Sequence, residues 1–121
     1  MKLRLTIDGK AVSATMNDNR TTRDFVSLLP LTLTMEDLFR REKFGHLPKA
    51  ISEGRRTQTC AAGDVIYWPP GPDVALFYRD QRRPIGSDII VIGRLDSGVE
   101  ALEVHGSVRV TFERLDDGPP E

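Results

Sequence analysis

The stretch GDVIYWPPGPDVALFYR, residues 63–79, constrains the fold more tightly than any other part of the chain. Runs 65–68 and 74–78 have strand length and are rich in β-branched and aromatic side chains. They flank the bend Pro69-Pro70-Gly71-Pro72. Proline has no N–H to give to a sheet ladder, so the bend lies at a sheet edge or beyond it. Tyr67, Trp68, Phe77 and Tyr78 stand in or beside these runs. Indole and phenol rings cover apolar surface while a polar tip reaches water, which makes this region a candidate pocket rim. Along 74–79, alternation puts Val74, Leu76 and Tyr78 on one face and Ala75, Phe77 and Arg79 on the other. Both faces carry large apolar groups. One face points to a core; the other covers a helix, a groove or a partner.

The remainder reads as further short strands with little helix. Leu3, Leu5 and Ile7 alternate with polar residues, Asp8-Gly9 signals a hairpin, and 11–16 returns with a weaker pattern. Thr21 is placed as a helix N-cap with Asp24 three residues on, approximating a capping box. Phe25, Leu28 and Leu29 share a helical face, and Pro30 stops the helix. Residues 31–36 alternate as a strand, 36–44 read as a short helical turn, and 45–56 as extended loop. Residues 80–87 form a polar turn region, 89–95 a buried strand and 108–113 a final strand. A short helical segment at 99–104 has Leu102 and Val104 facing inward. About eight short strands with one or two short helices predict a mainly β chain forming a closed or nearly closed barrel. The barrel domain spans 1–115 and a frayed tail 116–121.

Charge narrows the partners. A net charge of −1 gives no positive field for nucleic acid or an anionic membrane surface. No apolar run reaches membrane-spanning length, and the N-terminus alternates with charge instead of forming a signal sequence. The expectation is a cytoplasmic protein. Cys60, the one cysteine, has no partner for an internal disulfide and no neighbours in sequence for a metal site. As a nucleophile it needs an electropositive setting, of which Arg55 and Arg56 are the only sequence hint. His46 and His105 are far apart and read as loop and turn residues. No phosphate-binding glycine string occurs, so neither metal nor cofactor is expected.

Four strings, NRTTRDFVSLLPLTLTMED at 19–37, GDVIYWPP at 63–70, VALFY at 74–78 and IGRLDSG at 92–98, carry a family likeness. In them the chain resembles a family of small, mostly uncharacterised bacterial proteins with a cyclophilin-like fold. The resemblance implies a closed eight-stranded barrel with short capping helices. Eight strands leave an interior just filled by side chains, so a ligand binds on the outer face or at a rim. True cyclophilins isomerise Xaa-Pro bonds with a strand arginine and an apolar, aromatic proline pocket. Their Phe-His-Arg and Gln-Phe-Phe strings do not occur here, and Phe77 is the nearest match to the latter. No residue carries over as catalytic.

The expected function is therefore a binding module that takes a small molecule or a proline-containing peptide at an aromatic rim. Trp68, Phe77, Tyr78, Arg55, Arg79 and Asn19 are the candidate ligand contacts. Each has a plainer reading: the aromatics as core, the arginines as solvated loop and strand-end residues, and Asn19 as a turn former. Two alternatives stand beside it. One is a divergent peptidyl-prolyl isomerase with Arg55, Arg56 or Arg79 as donor to the prolyl nitrogen. The other is an interaction protein, a homodimer burying one face of 74–79.

Overall fold

A computed structural model describes residues 1–81 and 83–115. The expected 116–121 tail lies outside the described residues. Eight strands form a closed antiparallel barrel: β1 (Lys2–Ile7), β2 (Lys10–Met16), β3 (Leu31–Leu38), β4 (Glu42–His46), β5 (Asp64–Trp68), β6 (Asp73–Phe77), β7 (Ile90–Leu95) and β8 (Val108–Arg114). Their order around the barrel is β1-β2-β7-β5-β6-β4-β3-β8. This is the closed eight-stranded barrel that the family resemblance implies. Helix α1 (Arg20–Val26) follows β2, and a single 3-10 turn (Val99–Leu102) precedes β8.

Alternation decides what fills the interior. Leu3, Leu5 and Ile7 of β1, Met35 of β3, Tyr67 of β5, Leu76 of β6 and Phe112 of β8 are among the buried side chains of the main core. Helix α1 closes one end by setting Phe25 edge-on against Phe112, with ring centroids 5.4 Å apart. The long segment after β4 also serves this core. Leu47 and Ile51 join it, and Ile51 N–H donates to the Tyr67 hydroxyl at 3.2 Å. At the β2–β7 contact Gly93 pairs with Met16, where a Cβ would stand 2.9 Å from the Thr15 carbonyl oxygen. The close strand approach there requires glycine.

A second, smaller cluster lies on the outer side of β5 and β6. Ile66, Ala75 and Phe77 pack there with Cys60 and Ile89, and Trp68, Phe44, Ile85 and Val91 lean on it. The barrel wall thus has apolar side chains on both faces.

Three local expectations need correction. Residues 36–44 are not helical: β3 and β4 form a hairpin in which Leu38 pairs with Glu42. Phe39 and Arg40 turn the chain with φ values of 57° and 52°, and Asp37 Oδ2 accepts the Arg40 N–H at 2.9 Å. The helix cap is Asn19 instead of Thr21, its Oδ1 accepting Thr22 N–H at 2.8 Å. Thr21 is buried inside the helix, and Asp24 accepts from Ser52 N–H at 2.9 Å instead of closing a capping box. The turn after β7 ends at Leu102, so Val104 lies beyond it and is exposed while Leu102 is buried.

Candidate functional site

Register on the outer face of β5, β6 and β4 builds a groove. His46 and Trp68 both pair with Asp73. Two residues along, Phe44 and Ile66 both pair with Ala75. Two further along, Glu42 pairs with Phe77. The period of two places these residues opposite Val74, Leu76 and Tyr78, which face the main core. At the centre stands Ala75, the smallest side chain of the set, flanked by Phe44 and Ile66. A hollow opens above its methyl group. The turn at 38–41 walls one side, and Ile85, Ser87 and Ile89 wall another. The resulting groove has a volume of about 300 Å³.

Its polar groups sit at two places. At one, the Arg41 guanidinium lies between the Phe39 ring (5.4 Å) and the Phe77 ring (5.3 Å). Arg41 Nε donates to Glu42 Oε1 at 2.7 Å. Burial pushes the Glu42 carboxyl above its ordinary range, against the pull of Arg41. At the other, the Asp73 side chain is 7% exposed, and His46 Nδ1 approaches its Oδ1 at 2.5 Å from a side chain that is 72% exposed. His46 thus fills the space at Oδ1, which has almost no accessible surface of its own. Burial raises Asp73 as well, with His46 opposing. Gly71 lies directly over this carboxyl: a Cβ there would stand 2.3 Å from Asp73 Cγ and Oδ1.

The sequence-derived candidates separate. Trp68 lines the groove, and Phe77 forms part of its buried support beneath Arg41. Tyr78 is on the opposite face of β6, so Trp68 and Tyr78 share no rim. The Tyr78 hydroxyl donates to Asp37 Oδ1, and burial followed by that bond raises its pKa to about 12. Beside Tyr78 lies a polar cavity of about 180 Å³, lined by Asp37, Arg40, Arg79 and His105 among others. Arg79 is exposed there, 3.8 Å from Glu103. Arg55 is exposed in the segment before β5, away from the groove lining. Asn19 is engaged as the cap of α1. Cys60 is buried, and burial, with Asp64 next, raises its thiol to about 12, the reverse of an activated nucleophile.

Sequence reasoning missed Phe39, Arg41, Glu42, Asp73 and Ala75 as groove residues. The signal for Asp73 was present in the alternation that puts it on the face of Ala75 and Phe77. The signal for Glu42 and Phe44 was hidden by reading 36–44 as helical. A further unexpected residue is Lys43, fully buried on the inner face. Its Nζ donates to the Val104 and Gly106 carbonyls at 2.7 and 2.6 Å and lies 3.1 Å from Asp37 Oδ1. These contacts fasten the segment before β8 to the barrel. Among the described residues no cluster of three His, Cys, Asp or Glu side chains is placed to hold a metal ion. No helix among them is long and apolar enough to cross a membrane.

The model of the cyclophilin-like family matches residues 5–113. The solution structure of the hypothetical protein AF2241 from Archaeoglobus fulgidus is similar over 95% of this chain and 95% of that one, with a TM-score of 0.75 and 22% sequence identity. At that identity the likeness speaks for the fold. None of the curated proteins matches the chain.

Proposed function

Because the chain belongs to the cyclophilin-like family, we propose that it is a binding module whose ligand seat is the outer-face groove over Ala75. One observation carries this reading: a concave apolar surface of about 300 Å³ with a few polar groups converging on it. Ligand sites combine those two properties, and this volume is at the small end of their range. The barrel interior is filled by side chains, which leaves the outer face for a ligand. Trp68 is the only tryptophan in the chain, so its fluorescence reports on occupancy directly. A fragment library screened by NMR gives hits whose amide shifts centre on Ala75, Ile66 and Trp68. Trp68→Ala weakens those hits by about tenfold, in keeping with the loss of an aromatic anchor. Hits that map instead to the Tyr78 cavity would overturn this seat.

A second reading is a divergent prolyl isomerase, favoured by the arginine that lines the groove. Isomerisation needs an apolar seat for the proline ring and a donor to the prolyl nitrogen, against a barrier of ~18–20 kcal/mol. Arg41 stands at the groove wall, whereas Arg55 and Arg79 lie outside it. Its guanidinium is engaged by Glu42, which makes the donor less available. Exchange NMR on Xaa-Pro peptides tests the reading: acceleration abolished by Arg41→Ala supports it, and no acceleration retires it.

A further inference from the structure

We propose that the polar cavity beside Tyr78 is a binding site for a phosphate-type oxyanion, separate from the groove over Ala75. Three elements meet at this cavity of about 180 Å³. The β3–β4 hairpin brings Asp37 and Arg40, the residues just past β6 bring Tyr78 and Arg79, and the segment before β8 brings Glu103 and His105. Buried contacts set the wall in place. Lys43 Nζ donates to the Val104 and Gly106 carbonyls at 2.7 and 2.6 Å, which fixes the backbone on either side of His105. The Asp37 carboxylate accepts from the Tyr78 hydroxyl, takes the Arg40 N–H at 2.9 Å through Oδ2, and lies 3.1 Å from Lys43 Nζ. These contacts join the three elements while leaving the side-chain ends of Arg40, Arg79 and His105 free of them.

The charges around the cavity select the ligand. Asp37 is matched by Lys43 behind it. Arg40 and Arg79 then face a single carboxylate, Glu103, which lies 3.8 Å from Arg79 with both side chains exposed. Among the described residues no carboxylate comes within ion-pair distance of Arg40. The cavity is therefore locally positive in a chain of net charge −1. Both guanidinium groups are reachable from water and still positioned. Arg79 lies over the Tyr78 ring, 6.0 Å from its centroid, which leaves its N–H edge open. Arg40 projects from a backbone at φ 52° that Asp37 holds by accepting its N–H. A guanidinium fork matches two oxygens of an oxyanion, and an imidazole N–H serves a third. Donors arriving from three elements suit a tetrahedral anion, with oxygens in several directions, better than a planar carboxylate. The volume lies below the range of sites for drug-sized ligands and suits a phosphoryl group with a small ester body.

The test titrates inorganic phosphate, methyl phosphate and acetate into the full chain at constant ionic strength, read by amide shifts. Phosphate gives saturable shifts at Tyr78, Arg79 and His105, with Ala75 and Trp68 unmoved. Arg40→Gln and Arg79→Gln each weaken it about tenfold, the loss of one charge-assisted contact. Both arginines are exposed, so neither change disturbs the core. Arg20→Gln removes an exposed charge at the start of α1, outside the cavity, and leaves the affinity unchanged. Tighter binding of methyl phosphate supports the site as one for a phosphate ester, and tighter binding of inorganic phosphate supports it as one for the free anion. Acetate bound as tightly as phosphate overturns the oxyanion assignment. A loss in Arg20→Gln equal to that in the other two variants overturns it as well, by making the attraction a general charge effect. The absence of saturable shifts at the cavity with either phosphate overturns the site.

Discussion

Asp73 shows what a single residue discloses only after folding. In sequence it is one acidic residue after a proline bend, a position that reads as solvated turn. In the structure the pairing of Trp68 and His46 across it brings β5 and β4 against both its sides and buries it. Burial lifts its carboxyl above the ordinary 3.8, so the folded state holds the proton more tightly than the unfolded chain. The sign follows. Ionised Asp73 subtracts from stability above its folded pKa, and the deficit vanishes as pH falls below 3.8. Asp73→Asn keeps the shape and removes the charge. Its melting temperature at pH 7 is therefore expected above that of the wild type, with the gap closing in acid. A lower melting temperature at pH 7 would mean that the His46 contact outweighs desolvation. A stabilised variant that also weakened groove binding would mark Asp73 as a residue kept for function.

At the scale of elements, strands with clean alternation were legible, and the β3–β4 hairpin was not. The two residues that turn it, Phe39 and Arg40, adopt positive φ without being glycine or asparagine. Sequence reading relies on those two residue types to mark such turns, so 36–44 looked helical. The left-handed region costs an ordinary residue about 1–2 kcal/mol. Arg40 is exposed and its part in the turn is a backbone bond to Asp37. Arg40→Asn is expected to stabilise the fold by about 0.5–1 kcal/mol in urea denaturation, with groove binding unchanged. No gain would show that the Arg40 side chain offsets the strain. The Pro-Pro-Gly-Pro bend behaves oppositely, because glycine is needed there for space. Gly71→Ala pushes a Cβ into the Asp73 carboxyl and is expected to lower stability by about 1–2 kcal/mol. It shifts the melting temperature the opposite way from Asp73→Asn.

For the molecule as a whole, seven of the eight strands followed from alternation, β4 being the one missed, and the closed eight-stranded barrel was what the family resemblance implied. The order of strands around the barrel did not follow from alternation, since hairpin signals fix only neighbours in sequence. β2 meets β7 and β3 meets β8 through contacts that are remote along the chain. One polar cluster holds such a remote junction. Asp96, just past β7, accepts from Lys2 Nζ at 2.8 Å, from Ser13 Oγ at 2.6 Å and from Thr15 Oγ1 at 2.6 Å. It thereby ties β1 and β2 to the end of β7. The Lys2 bond first, then those of Ser13 and Thr15, pull its pKa from 3.8 to about 2. A lowered folded pKa contributes stability that is complete above 3.8 and lost as pH falls toward about 2. The carboxyl is 30% exposed, so solvent discounts the full linkage value to about 1–2 kcal/mol. Asp96→Asn is thus expected to lose about that much stability at pH 7. Its deficit against the wild type shrinks below pH 4 and closes near pH 2, as Asp96 takes up its own proton. Asp73 and Glu42 act in the opposite sense, since their raised values favour the fold as pH falls. Urea denaturation repeated across pH separates the two groups. An acid limb unchanged by Asp96→Asn would mean that the junction between β2 and β7 rests on backbone pairing and on the close Gly93 contact alone.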